Sequence, residues 1–291
     1  MQTLTTIKSL LAAAGTHPKK RFGQNFLHDQ NQLRKIVAAA QLGAGDCVLE
    51  VGAGTGALTE AMLDAGARVV AVEVDNDLVP VLRERLAPWG EQLTLIHADV
   101  LAGKHQLNPA VVAALEAPGE TSGGTSGGTS GGTSGGNFKL VANLPYNVAS
   151  PLLVNLGVDH ARMTLAVIMV QLEVAERLLA SPGGKTYGPL GVIMQALFEM
   201  ELVSRLPPSC FHPQPQVDSA VVKLVRRPQP LSADVRGFNA FVHELFNKRR
   251  KQLGAILGRS TPFPADIDPS ARPETLTLEQ FERLRISAAR A

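Results

Sequence analysis

The sequence predicts an α/β protein: a doubly wound, mainly parallel sheet that ends in an antiparallel hairpin, followed by a small all-α unit. Three observations predict it. Short apolar runs alternate with helical stretches through most of the chain. A glycine-rich turn, EVGAGTGAL at 50–58, follows the first of those runs. From about residue 230 the apolar period becomes helical. Alternating strands and helices imply right-handed βαβ units in a parallel sheet.

The elements read in order. CVLEV (47–51) is an apolar run ending in glycines, hence a buried strand entering a turn. Residues 57–66 read as a helix closed by Gly66. RVVAVEV (68–74), a helix over about 76–88 and LTLIHAD (93–99) follow. The pattern resumes with FKLVAN (138–143), a helix near 150–157 and MTLAVIMV (163–170). Strand-like runs at 201–206 and 217–225, joined by PPSCFHPQPQ, form the hairpin at the sheet's end. FNAFVHELFNKRRKQLGAIL (238–257) carries an apolar helical stripe of Phe238, Phe241, Val242, Leu245 and Phe246. PETLTLEQFERLR is a last helix, with Thr275 or Thr277 as its N-cap. We therefore expect one domain over 1–228 and a helical one over 229–291.

Between the third and fourth strands stands TSGGTSGGTSGGTSGG, residues 121–136. Four copies of a tetrapeptide with no apolar side chain are a flexible linker by composition. Loop closure costs little more as a loop lengthens, so the insertion is compatible with one sheet.

Composition excludes several classes. The chain has 291 residues, 45% of them hydrophobic and 19% charged, enough for a full core. No apolar run reaches membrane-spanning length, and no signal-peptide pattern opens the chain, so we expect an intracellular, cytoplasmic protein. Cys47 and Cys210 lie far apart, one in a strand and one in a Pro-rich turn. His28, His97, His212 and His243 form no ligand pattern, and we expect no metal. The net charge of +2 is unevenly placed: residues 1–27 carry +4 and 223–259 carry +7. Such segregation presents a basic face to a polyanion, or else a solvated basic helix.

The chemistry lies at the strand ends, where open α/β sheets bind ligands. Gly52, Gly54 and Gly56 let the backbone approach a ligand closely. Glu73 ends the next strand, 21 residues after Gly52, where a carboxylate can accept both hydroxyls of a ribose. These residues also fit a nicotinamide dinucleotide site. Asp99 ends the third strand and can accept from an adenine amino group. Asn143, Leu144, Pro145 and Tyr146 form a stiff turn after the fourth strand, because proline stops the ladder and holds its predecessor extended. Nicotinamide enzymes need neither Asp99 nor that turn, so the combination points to S-adenosylmethionine.

The glycine turn, Glu73, Asp99 and NLPY together resemble the motif series of adenine-N6 methyltransferases. KKRFGQNFLHDQ (19–30), GKTYGPL (184–190), FHPQPQVDSAVV (211–222) and FNKRRKQL (246–253) resemble, in order, the ribosomal RNA adenine dimethyltransferases. The small-subunit (16S) enzymes fit best. The likeness spans about residues 17–258; the glycine repeat departs from the family pattern, and the last thirty residues match loosely.

The resemblance implies S-adenosylmethionine as methyl donor, S-adenosylhomocysteine as product, and two adjacent adenosines near the 3′ end of 16S rRNA as target. It implies that Asn25 and Leu27 cover the methionine end of the cofactor and that Gly52 approaches it by backbone. Glu73 would hold the ribose, Asp99 the adenine, and Asn143 both cofactor and target. Asn143 and the Leu144 carbonyl would accept from the target amine, with Pro145 fixing that carbonyl. Tyr146 would stack on the base and Phe211 close its other face. Read by itself, QNFL is a helix entry with Asn25 as cap. Lys19, Lys20 and Arg21, with Lys248, Arg249, Arg250 and Lys251, would grip RNA from two sides. A monomer is expected. The alternatives are a large-subunit (23S) rRNA methyltransferase and a non-catalytic RNA-binding assembly factor of the same fold.

Overall fold

The computed structural model describes residues 2–103, 106–117, 136–145, 148–258 and 260–289. All but the last residue of the glycine repeat, and Tyr146 of the NLPY turn, lie outside the described residues.

A seven-stranded sheet forms the centre. Its strands are β2 (Cys47–Val51), β3 (Arg68–Glu73), β4 (Leu93–His97), β5 (Phe138–Asn143), β6 (Met163–Gln171), β7 (Phe198–Leu206) and β9 (Ser219–Arg226), in the order β4-β3-β2-β5-β6-β9-β7. The first five are parallel and the last two antiparallel. Two further strands, β1 (Phe26–Leu27) and β8 (Phe211–His212), pair antiparallel with each other. The chain steps outward from β2 to β4 and then returns to β5 on the other side of β2. That reversal is a topological switch point, where two loops diverge and leave a crevice.

Helices cover both faces: α1 (Leu4–Ala13), α2 (Gln30–Ala40), α3 (Ala57–Asp64), α4 (Leu78–Leu86), α5 (Pro109–Glu116), α6 (Ala149–Asp159), α7 (Leu172–Leu178) and α8 (Pro189–Leu197). The chain ends in α9 (Val235–Asn247), α10 (Leu253–Leu257) and α11 (Leu278–Ala288). The strands bury both faces, as parallel strands do. Leu49, Val51, Val70 and Val72 point into one apolar cluster, while Val48, Val69 and Ala71 point into the other. The first cluster runs on without a break through α6 and α8 to Phe238, Phe241, Val242, Leu245 and Phe246 of α9 and Phe281 of α11. The helical C-terminal part thus shares a core with the sheet domain.

Several expectations are corrected. The helix expected over 238–257 breaks after Asn247. Lys248 and Arg249 donate backward to Leu245 and Phe246 carbonyls, and Gln252 turns extended to place Leu253 in the core. Four adjacent cations, Lys248–Lys251, therefore occupy a turn rather than a helix. Asn25 caps no helix: Asp29 caps α2, accepting from Asn31 and Gln32 N–H at 2.9 and 3.1 Å. Thr277, not Thr275, caps α11, in a reciprocal box with Gln280. The PPSCFHPQPQ connection is not a plain turn, because it contains β8. Helices α1, α2, α5, α7 and α8 come in addition to those expected.

Candidate active site

Gly52, Gly54 and Gly56 all have positive φ, at 78°, 61° and 79°, a region that other residues enter at a cost. The turn lies tightly against its neighbours. A Cβ on Gly52 would sit 3.4 Å from Pro145 Cγ, and one on Gly54 would sit 3.1 Å from the Phe26 ring. The glycines thus let three motifs distant in sequence meet.

Glu73, at the end of β3, is 4% exposed. Its Oε2 accepts from Gly54 N–H at 2.8 Å, and its Oε1 accepts from Val74 and Asp75 N–H at 2.9 Å each. Burial pushes its carboxyl above the ordinary range, and the three N–H bonds oppose that push. Glu50, buried in β2, lines the same cleft. The Thr59 hydroxyl donates to Glu50 Oε2 at 2.5 Å. Burial pushes Glu50 up to about 8, against the Thr59 bond and with help from the Glu73 charge. Glu50 is not among the residues expected from the sequence, where it shows only as a single acid inside the apolar run CVLEV.

Asn143 ends β5. Its side-chain nitrogen donates to the main-chain carbonyl of Asn25 at 3.0 Å, which assigns the amide orientation and leaves Oδ1 as the acceptor. Leu144 is buried, and its N–H donates to the Met169 carbonyl at 3.0 Å. The Pro145 carbonyl accepts from Val148 and Ala149 at the start of α6. The described part of the NLPY turn is therefore fixed at both ends. Asn25 donates its own amide to the Gly23 carbonyl at 3.2 Å.

One cleft brings together Asn25, Leu27, Gly52, Glu73, Asn143, Leu144 and Pro145, with Phe22 and Leu58 among its apolar walls. A buried carboxylate, a glycine cradle and apolar sides suit a nucleoside with a free ribose diol. The cavity holds about 90 Å³, below the ~300–1,000 Å³ of ligand pockets, because residues 22–27 lie along it. That segment is strapped down. The Lys19 ammonium bonds to the Asp75 and Asp77 carboxylates, and Gln24 Nε2 donates to Asp75 at 2.7 Å. Asp75 is held below the ordinary carboxylate range: burial alone would raise it, and the Lys19 and Gln24 bonds outweigh burial. Near the chain start, buried Gln2 exchanges two 2.7 Å bonds with Thr55 of the glycine turn.

Other expected residues lie elsewhere. Asp99 is exposed and outside the cleft lining, and its carboxylate accepts from Leu101 N–H at 2.9 Å as a turn residue. Phe211 is buried against the second core cluster and pairs with Leu27, so its ring is not free to cover a base. Lys19 belongs to the strap rather than to an open basic face. Lys20 and Arg21 are exposed, with the Arg21 guanidinium 4.6 Å from the Phe22 ring centroid. Lys248, Arg249, Arg250 and Lys251 are all exposed. Among the described residues, no three His, Cys, Asp or Glu side chains gather as a metal site would.

Comparison with known proteins gives the family and the fold. The family described as ribosomal RNA adenine dimethylase matches residues 15–271. Ribosomal RNA small subunit methyltransferase A of Magnetococcus marinus is 41% identical, over 96% of this chain and 94% of its own. The protein of that name from Moorella thermoacetica is 38% identical, over 94% and 93%. Among solved structures, a dimethyladenosine transferase from Plasmodium falciparum shares the fold, with a TM-score of 0.68 and 23% identity over 89% of this chain and 95% of its own. The 23S rRNA methyltransferase ErmE gives a TM-score of 0.65 and 26% identity, over 91% of this chain and 100% of its own.

Proposed function

The chain belongs to the ribosomal RNA adenine dimethylase family, and from that premise we propose that it methylates N6 of two adjacent adenosines near the 3′ end of small-subunit rRNA. The products are N6,N6-dimethyladenosines, and the process served is small-subunit biogenesis. The observation that carries the reading is the placement of Asn143. Oriented by Asn25, it stands in one cleft with Gly52 and Glu73.

S-adenosylmethionine, when bound, supplies a methyl group already activated by its sulfonium. The residues hold and align. Glu73 accepts from the ribose hydroxyls and Gly52 lets the cofactor approach the backbone. Asn25 and Leu27 cover its methionine end. Asp99 lies two residues beyond His97, the register partner of Glu73, at the carboxyl end of the neighbouring strand, and is the acceptor assigned to the adenine amine.

The target amine is a poor nucleophile, because its lone pair is delocalised into the ring. Asn143 Oδ1 and the Leu144 carbonyl accept its hydrogens. They draw the nitrogen toward tetrahedral geometry and steady the positive charge that develops on it. Pro145 fixes that carbonyl, and Tyr146 stacks on the extruded base. Residues 229–291, with the exposed turn Lys248–Lys251, select and grip the RNA, and Lys20 and Arg21 hold it from the other side. The protein acts as a monomer in the cytoplasm. Among the described residues no helix is long and apolar enough to cross a membrane.

A large-subunit target is the second reading. It is disfavoured because the curated relatives, at 38–41% identity over more than nine-tenths of the chain, are named for the small subunit. The test is transfer of labelled methyl groups to purified, unmethylated small and large ribosomal particles, with the modified bases mapped. Adjacent dimethyladenosines in the small particle are expected. Label confined to the large particle would refute the proposal.

A further inference from the structure

The glycine turn is held by a residue from the start of the chain. Gln2 and Thr55 are each 3% exposed, and they are bonded twice. Gln2 Nε2 donates to the Thr55 main-chain carbonyl at 2.7 Å, and the Thr55 hydroxyl donates to Gln2 Oε1 at 2.7 Å. Both ends of the amide are therefore used. The first residues of a chain are poorly ordered unless tied down, and burying an amide is costly unless it is paired. A buried, doubly bonded amide at the second residue is a specific contact rather than incidental packing. The family match begins at residue 15, so the family likeness does not account for it.

The segment around Gln2 keeps it in place. Thr3 caps α1, accepting from Thr6 N–H at 3.2 Å, so the helix starts directly after the glutamine. Ile7 and Leu11 of α1 share a small apolar cluster with Phe26 and Leu78. Phe26 is also the ring that packs against Gly54. The helix and the glutamine thus clamp one turn. Thr55 lines the cleft and stands between Gly54 and Gly56, both of positive φ, where the backbone has more freedom to lose than elsewhere. Gly54 in turn donates to Glu73 Oε2 at 2.8 Å. A chain of bonded neighbours therefore runs from Gln2 through Thr55 and Gly54 to the carboxylate proposed for the ribose. Gln2 itself is not part of the cleft lining, so it acts through Thr55.

We propose that Gln2 is a positioning residue for S-adenosylmethionine: through Thr55 it keeps the glycine turn and Glu73 in the arrangement that receives the cofactor. The inference rests on the methyltransferase reading above. A site whose competent arrangement is only partly populated binds its ligand more weakly by that fraction. In the loaded protein the turn is held from the cofactor side as well. Loss of Gln2 therefore acts on cofactor affinity and cofactor KM rather than on kcat.

The test uses Gln2→Ala, Gln2→Glu, Thr55→Val and the double variant of Gln2→Ala with Thr55→Val. Calorimetry with S-adenosylmethionine is run beside melting temperature and methyl transfer to unmethylated small ribosomal particles at varied cofactor. Gln2→Ala should bind the cofactor about fivefold more weakly, as expected for the loss of one or two hydrogen bonds. Cofactor KM should rise by the same factor, with little change in kcat. Gln2→Glu keeps the acceptor for the Thr55 hydroxyl but sets an oxygen against the Thr55 carbonyl, and it should behave like Gln2→Ala. The double variant should bind no more weakly than the weaker single one, because residues that act as one unit do not add. A lowered melting temperature with wild-type cofactor affinity and KM in Gln2→Ala and Gln2→Glu overturns the proposal and leaves Gln2 as a tie for α1 alone. Additive losses in the double variant overturn the route through Thr55. A wild type that binds no S-adenosylmethionine overturns the cofactor reading itself, a result distinct from the other two.

Discussion

The side-chain nitrogen of Asn143 and the main-chain oxygen of Asn25 lie 3.0 Å apart, although the residues are 118 positions apart in sequence. This bond orients the amide whose other end is the acceptor proposed for the target amine. Asn143→Ala should therefore reduce the single-turnover rate of methyl transfer by about 10²–10³, the usual effect of removing one aligned polar group. Cofactor and RNA affinities should change much less. Near-normal transfer at saturating cofactor and RNA would remove Asn143 from the chemistry.

Glu73 has a double duty, since the carboxylate proposed for the ribose also accepts three main-chain N–H bonds. Hydrogen bonds to charged groups are worth about 1.5–3 kcal/mol each. Glu73→Ala should weaken S-adenosylmethionine binding at least tenfold by calorimetry and also lower the melting temperature. A stability loss with unaltered affinity would make Glu73 a support for the turn only.

Glu50 makes a pH prediction. Its folded carboxyl titrates at about 8, well above the 4.5 of the free group. Between those values the folded chain keeps a proton that the unfolded chain has released. The Glu50 contribution to stability is thus fully present below about 4.5, falls as pH rises, and is gone above about 8. Glu50→Gln keeps an acceptor for Thr59 without the titration. Stability of the wild type relative to this variant should fall by up to about 1.4 kcal/mol per pH unit across that window. Chemical denaturation of both proteins at several pH values gives the slope, and parallel curves would contradict a buried neutral Glu50.

The basic turn should govern salt dependence. Phosphate contacts release counterions, with a slope of about −0.7 to −0.9 per contact in a log–log plot. Replacing Lys248, Arg249, Arg250 and Lys251 with Ala should flatten the slope for RNA binding by up to about three units, with cofactor affinity untouched. An unmoved slope would mean that these exposed cations face only solvent.

Much of this fold was legible because its signals are local. The buried parallel strands read as apolar runs, and the α9 stripe from Phe238 to Phe246 reads as a helix. The positive-φ glycines and the stiffness before Pro145 follow from residue type. What could not be read depends on partners far along the chain. Nothing beside Lys19 in sequence announces Asp75 and Asp77, and nothing beside Phe211 announces Leu27. The basic run looked helical because its four cations follow an amphipathic stripe. The break depends on Leu253, whose burial requires the chain to turn first.

The pairing of β1 with β8 also sets a clock on the protein's own birth. A ribosome delivers the glycine turn, Glu73 and Asn25 early. Phe26 and Leu27 must then wait for Phe211 and His212, their partners across that small ladder. At about 5–20 residues per second the interval is roughly 10–40 s. During it the nascent chain carries most of its cofactor-facing residues but lacks the strand that steadies Asn25, and with it the amide of Asn143. An enzyme that modifies ribosomes thus becomes competent only late in its own translation.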